Sequence, residues 1–256
     1  MNVVDLQDTR GHLLGSRNLF SVSEMFHENS RITESAPGIA LSQNSIAVAP
    51  SGYKRYVHAP TIALPQPRFA SADVRAAIVG RQSCREYRNA GLSVDAVSTL
   101  AFSAMGQLAA QSRRCVPSAG GLYPLELYVA AFRVEGLDVG LYHYNVREHG
   151  LTRIRLSACQ DEFTRAIFIK ESVQTANAVL ALTGVFGRSK IKYGERAYRF
   201  VLLEAGHAMQ NMCLAATSAG LGFCPVGGFI DDLVNDVLNV DGVEEASIYL
   251  ATLGQR

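Results

Sequence analysis

The stretch that most constrains this chain is residues 197–219, AYRFVLLEAGHAMQNMCLAATSA. Helix formers dominate it, proline is missing, and its polar groups are thinly spread. A helix that is apolar on nearly every side has to run through a core or into a subunit interface. Gly220 supplies its stop. It is no membrane span, because no run in the chain reaches the roughly 18 consecutive apolar residues that crossing requires.

Shorter elements surround it. Ser71 reads as the N-cap of a helix over residues 72–79, with Asp73 in the first turn and Gly80 as the stop. Ser93 opens a second helix with Asp95 near its positive end. Val97, Leu100, Ala101, Ala104, Met105 and Leu108 there recur at helical spacing. Residues 125–134 (LELYVAAFRV) read as a strand. Residues 140–144 and 151–156 read as a hairpin turning at 147–150, and residues 178–186 as a buried strand. A last short helix at 231–238 and a last strand at 248–253 follow. Helices and strands mix without strict alternation, which predicts an α+β fold. The first part is poorly periodic, and Pro50, Pro60, Pro65 and Pro67 make an extended connector rather than a packed element. The expected organisation is an N-terminal arm over 1–68, wrapping a partner or neighbouring subunit or else disordered, and one domain over 69–256.

The composition excludes several functions. The 256 residues are 48% hydrophobic, ample for a real core, and only 18% charged, too few for a largely disordered chain. A formal net charge of +1 gives no electrostatic case for nucleic acid or an anionic membrane as partner. Five cysteines without a CxxC pair argue against a disulfide scaffold or a zinc site and for a reducing cytoplasm. The N-terminus lacks the basic start and apolar stretch of a signal peptide.

Several short segments can carry chemistry. In the extended stretch Arg81-Gln-Ser83-Cys-Arg85, alternate side chains share a face, so two guanidiniums and a hydroxyl would suit a phosphate; a solvated basic turn has the same spacing. In Pro117-Ser-Ala-Gly-Gly-Leu-Tyr-Pro124, small residues let backbone approach a flat ligand, as they also would in an ordinary loop. Residues 220–229, GLGFCPVGGF, suggest exposed amides at Gly227 and Gly228, or a helix stop and a turn. Neither GxGxxG after a strand nor a P-loop is present. Glu204 and His207 have one half of a dinuclear metal motif, and a buried hydrogen-bonded pair is the simpler expectation. Residues 189–199 pack Lys192, Tyr193, Arg196 and Arg199 together. A cation beside a phenol favours the phenolate, but adjacent residues share no helix or strand face, so an irregular loop would have to bring Lys192 and Tyr193 into one pocket.

Taken in order, Arg81-x-Ser-x-Arg85, PSAGGLYPLE (117–126), GLYHYN (140–145), KYGERAYR (192–199), LLEAGHAMQN (202–211) and GLGFCPVGGF (220–229) resemble the flavin-dependent nitroreductase superfamily. More narrowly they resemble its SagB-type dehydrogenase branch, the azoline oxidases of azole-containing peptide biosynthesis. FHENS (26–30) is also similar to a segment of that branch. The resemblance implies a mostly antiparallel sheet flanked by helices in an intertwined homodimer, with FMN at the subunit interface. It implies that Arg81, Ser83 and Arg85 bind the FMN phosphate and ribityl chain, with Arg256 adding a basic group. Pro117, Ser118 and Gly120 would line the flavin ring from the other subunit, Gly227 and Gly228 would place amides near N5, and Lys192 and Tyr193 would be the catalytic pair. The implied activity is oxidation of peptide thiazolines or oxazolines to thiazoles or oxazoles, with an azoline-containing peptide as substrate and a cyclodehydratase complex as partner. A generic NAD(P)H-dependent nitroreductase or quinone reductase would use the same site, and a structural member of a biosynthetic complex would have lost the flavin.

Overall fold

The computed structural model describes residues 21–31, 52–108 and 113–256. They fall in two units, residues 1–38 and 39–256. In the first, α1 (Val22–Asn29) begins with a capping box: the Ser21 hydroxyl accepts from the Glu24 amide while the Glu24 carboxylate accepts from the Ser21 amide.

The second unit runs β1 (Thr61–Ala63), α2 (Val74–Gly80), β2 (Leu92–Ser93), α3 (Val94–Met105) and a 3-10 turn at Ala119–Gly121. Then come β3 (Leu125–Ala131), β4 (Val134–Glu135), β5 (Gly140–Asn145), β6 (Gly150–Arg155), α4 (Gln160–Ala166), α5 (Lys170–Thr175) and β7 (Ala178–Val185). The chain continues with α6 (Phe186–Tyr193), a 3-10 turn at Gly194–Arg196, α7 (Ala197–Ser218), β8 (Leu221–Val226), α8 (Asp231–Leu238) and β9 (Glu245–Gln255).

Seven strands make one antiparallel sheet in the order β1-β6-β5-β3-β7-β9-β8, and β2 and β4 form a small parallel pair. The fold is α+β, as the mixed pattern predicts. The sheet is buried on both faces, which is why its central strands read as nearly unbroken apolar runs rather than as alternation. Leu125, Leu127 and Val129 of β3 face α3 and α7, while Tyr128 and Ala130 face α4, α5 and α8. On one side α3 offers Val97, Leu100, Ala101 and Ala104, and α7 offers Val201, Ala205, Ala208, Met209 and Met212. Phe163, Val173, Val234 and Leu238 close the other side.

Ser93 does cap α3, with its hydroxyl accepting from the Ala96 amide, but Gly106 ends that helix and Leu108 lies beyond it. Ser71 does not cap α2. Asp73 does, because its carboxylate accepts the Arg75 amide and the helix starts at Val74. Of the proline-rich stretch, Pro50 lies outside the described residues, and residues 60–67 are extended but also packed. β1 pairs with β6, Leu64 is buried, and Lys54 reaches Glu245 at 2.6 Å and the Tyr128 hydroxyl at 2.7 Å. The first part of residues 220–229 is the edge strand β8, with only Gly227 onward in a turn. No helix among the described residues is long and apolar enough to cross a membrane. One face of α7 is core, and the other leaves Tyr198, Leu202 and Leu203 exposed.

Candidate functional site

Two groups of the expected residues are assembled in different ways. The first lies along the sheet edge. Residues 81–88 run extended beside β8, where the Cys84 amide donates to the Phe223 carbonyl at 3.0 Å. Tyr87 anchors this segment. Gly222 of β8 and Gly254 of β9 are cross-strand partners, and a Cβ on either would lie within 3 Å of the Tyr87 ring. Two missing side chains thus make a slot for one aromatic ring, a close approach that only glycine permits. The Tyr87 hydroxyl sits 2.7 Å from both the Cys84 carbonyl and the Thr252 hydroxyl, and burial pushes the phenol above its ordinary range.

So anchored, Ser83 is half-buried against Cys224, while Arg81 and Arg85 carry exposed guanidiniums. Among the described residues neither guanidinium is held in an ion pair. Arg81 lines one small cleft with Cys84, Cys213, Thr217, Phe223 and Arg256. Gly227 is exposed, with open space where a Cβ would stand, and Gly228 rests against the Phe168 ring while its carbonyl accepts the Phe168 amide. Two free guanidiniums, a half-buried hydroxyl and a third arginine in the same cleft make a donor set that fits a phosphate. The bare glycine turn at the end of β8 leaves room for a flat ring.

The second group lies behind the 3-10 turn. Pro117 is exposed and Ser118 half-buried. Gly120, Gly121 and Tyr123 all have left-handed backbone, at φ 64°, 67° and 47°. For Tyr123 that conformation is strained and needs outside support. It has three supports. Its amide donates to the Ser118 hydroxyl at 2.9 Å, its carbonyl accepts from Arg188 at 3.1 Å, and its own hydroxyl accepts from the Arg114 amide at 3.1 Å. Lys192 and Tyr193 meet the turn at Gly120, where a Cβ would stand 2.6 Å from the Tyr193 Oη and 3.0 Å from the Lys192 Nζ. The expectation of an irregular loop here is corrected. The pair forms the last residues of α6, and the helix breaks at Tyr193 (φ −118°, ψ 2°), which lets two neighbours reach one spot. The Tyr193 ring is also set edge-on against Phe200, with centroids 5.0 Å apart.

A buried ionic network underlies this turn; the motifs PSAGGLYPLE and GLYHYN contain its Glu126 and His143 but no role was expected for them. Glu126 of β3 is 2% exposed. Its carboxylate pairs with His143 of β5 at 2.7 Å and with Arg188 of α6 at 2.5 Å, and it accepts the Lys54 amide. Burial alone would raise that carboxyl, but His143 and Arg188 outweigh it and hold it below the ordinary value. Arg114, also buried, stacks between the Tyr53 and Tyr123 rings and donates to the Gly52 carbonyl. Glu204 on α7 points into the same region and is 4% exposed, whereas His207 faces solvent, so the two do not form the expected buried pair. The signal for this network was in the sequence as charged residues inside apolar runs, Glu126 in LELYVAAFRV and Glu204 in the longest helix.

Among the described residues no hydrogen bond or ion pair links the Arg81–Arg85 group to the Gly120–Tyr193 group. A model of the nitroreductase family matches residues 78–255. The chain belongs to the nitroreductase family. Three relatives match in sequence. MJ1384 of Methanocaldococcus jannaschii, a nitroreductase-like protein, is 32% identical over 77% of this chain and 98% of its own. The trifolitoxin-processing protein TfxB of Rhizobium leguminosarum bv. trifolii is 31% identical over 53% of this chain and 38% of its own. The microcin B17-processing protein McbC of Escherichia coli is 30% identical over 50% of this chain and 49% of its own. The matched part therefore spans half or less of the two peptide-processing relatives. In structure, the E. coli microcin synthetase McbBCD complex with truncated pro-MccB17 superposes at TM-score 0.61, with 21% identity, over 94% of this chain and 99% of that one. A nitroreductase-family structure from Desulfovibrio desulfuricans in complex with FMN superposes at TM-score 0.50, with 19% identity, over 72% and 87%.

Proposed function

We propose that this protein is an FMN-dependent dehydrogenase of the SagB type. It oxidises thiazoline or oxazoline rings in a peptide to thiazoles or oxazoles. The observation that carries this reading is the meeting of Tyr193 Oη and Lys192 Nζ at Gly120. Ionised to a phenolate beside the Lys192 ammonium, Tyr193 would suit proton removal from a carbon acid. The names of TfxB and McbC, both peptide-processing proteins, support the substrate class.

In this reading Arg81, Ser83, Arg85 and Arg256 hold the FMN phosphate and ribityl chain. Gly227 and Gly228 offer amides near N5, and Pro117, Ser118 and Gly120 line the ring from the other subunit of a homodimer. The exposed apolar face of α7 (Tyr198, Leu202, Leu203), with Val74, Ile78 and Val79 of α2, supports such a dimer. Bound there, FMN supplies a two-electron acceptor at N5 that dioxygen can restore. Tyr193 Oη takes the proton from the azoline ring carbon as the hydride leaves. Lys192 Nζ, 5.4 Å from the Tyr193 ring centroid, steadies negative charge on that oxygen. A cyclodehydratase complex must make the azoline first.

Separate Lys192→Ala and Tyr193→Ala variants test this. With flavin loading matched to wild type, each should lower azole formation about 100-fold or more, read as loss of two hydrogens per ring by mass spectrometry. Azole formation at the wild-type rate would overturn the assignment. The match to MJ1384 over nearly its full length favours a second reading, an NAD(P)H-dependent nitroreductase or quinone reductase in which Lys192 and Tyr193 are incidental. Rapid bleaching of the flavin's visible band by NADPH, undiminished in both variants, would select it.

A further inference from the structure

Glu204 is the one acid of α7 that faces the interior, and neither the motif chemistry nor the proton transfer above employs it. It hydrogen-bonds with the Ser118 hydroxyl, and the positive charges of Arg114 and Arg188 are near enough to favour its ionised form. Ser118 is the hinge of the strained turn. Its Oγ accepts the Tyr123 amide at 2.9 Å and its carbonyl accepts the Gly121 amide at 3.0 Å. A hydroxyl that accepts through oxygen still has its own proton to donate, and the Glu204 carboxyl is the acceptor at hand. Ser118 thus joins Glu204 of α7 to one of the three supports of the left-handed turn at Gly120–Tyr123. The same turn receives Lys192 and Tyr193.

We propose that Glu204 is a positioning residue: its buried carboxyl fixes Ser118 and, through Ser118, the turn that sets Gly120 against Lys192 and Tyr193. This rests on the azoline dehydrogenase reading for its catalytic consequence, but the structural link itself does not. A positioning error of about 1 Å can cost about 100-fold in rate, so a loosened turn should register strongly in turnover. Burial pushes the Glu204 carboxyl up to about 7, against the pull of Ser118, Arg114 and Arg188, so the site tolerates a neutral side chain there. Glu204→Gln keeps the volume and the acceptor oxygen, whereas Glu204→Ala removes both.

Hydrogen exchange of the full-length protein, followed by mass spectrometry, reads the link without any flavin. Glu204→Ala should speed exchange about tenfold or more in the peptide covering residues 119–124, while the amides of β3 and β7 stay at wild-type protection. Glu204→Gln should restore protection. In turnover, Glu204→Ala should lower kcat for azoline oxidation about 10- to 100-fold, and Glu204→Gln should recover most of it. Ser118→Ala should loosen the same peptide, and its effect should not add to that of Glu204→Ala, since both break one chain of contacts. Unchanged exchange at 119–124 in folded Glu204→Ala overturns the inference, as do additive effects of the two substitutions. Should Glu204→Ala not fold, Ser118→Ala with wild-type exchange at 119–124 overturns it equally. If wild type oxidises no azoline but the exchange pattern is as described, the activity assignment fails and the role of Glu204 stands. If azoline oxidation is robust and the exchange pattern is flat, the reverse holds.

Discussion

At Gly120 a single hydrogen in place of a methyl decides whether a phenol and an ammonium can share a spot. Gly120→Ala would put a Cβ 2.6 Å from the Tyr193 Oη in a backbone region that costs an alanine about 1–2 kcal/mol. The expected outcome is azole formation lowered by about 10- to 100-fold with only a few degrees off the melting temperature, measured by rate assay and calorimetry. Glu204 permits a prediction of opposite kind, about pH. Its carboxyl is raised from an ordinary 4.5 to about 7 in the folded chain, so the unfolded chain loses its proton first as pH climbs. Stability from this group is present below about 4.5 and drains away as pH rises to about 7. Glu204→Gln has no proton to lose, so its melting temperature relative to wild type should rise between pH 5 and pH 8. A constant difference across that range would mean Glu204 ionises in the folded chain as it does in the unfolded one.

Among helices and strands, Glu126 shows how a charge can bind layers together. It ties β3 to β5 through His143 and to α6 through Arg188. Glu126→Gln would leave Arg188 buried without its carboxylate, a loss of about 3–5 kcal/mol by analogy with other broken buried pairs. Because the Glu126 carboxyl is held below its ordinary 4.5, its contribution is complete above that value and vanishes on acidification. Wild type should therefore lose melting temperature below pH 4.5 more steeply than Glu126→Gln. Sequence periodicity revealed α3, α7, α8 and the central strands because each buries a face or more against the sheet. It missed α4, α5 and α6, short helices that bury at most two apolar side chains each, where α8 buries Val234, Val237 and Leu238. β8 was hidden by its own glycine and proline, which read as loop residues although they lie at a sheet edge. Of the site, the arginine segment and the glycine turns were visible as motifs. The pairing within the polar network was not, since Glu126, His143, Arg188 and Lys54 are far apart in the chain and only the packing of strands, α6 and the preceding segment brings them together.

For the complete protein, the division of candidate residues into two groups predicts how they cooperate. If each site takes Arg81 and Arg85 from one chain and Lys192 and Tyr193 from its partner, an Arg81→Ala/Arg85→Ala chain and a Tyr193→Ala chain are each inactive alone. Mixed dimers should then regain one intact site, close to half the specific activity of wild type. Retained FMN, measured by absorbance after gel filtration, should fall at least tenfold in the Arg81→Ala/Arg85→Ala protein, because two charge-assisted contacts to phosphate are removed. No recovery in the mixed dimers would place both groups in one chain's site.

The ring of Tyr87 seated between Gly222 and Gly254 bears on how a ligand would be greeted. A tyrosine wedged where two strands lack side chains cannot slide along them, so Arg81 and Arg85 ride on the sheet as fixed fittings. If these arginines bind a phosphate as proposed, the backbone that carries them has little freedom left to lose when the anion lands.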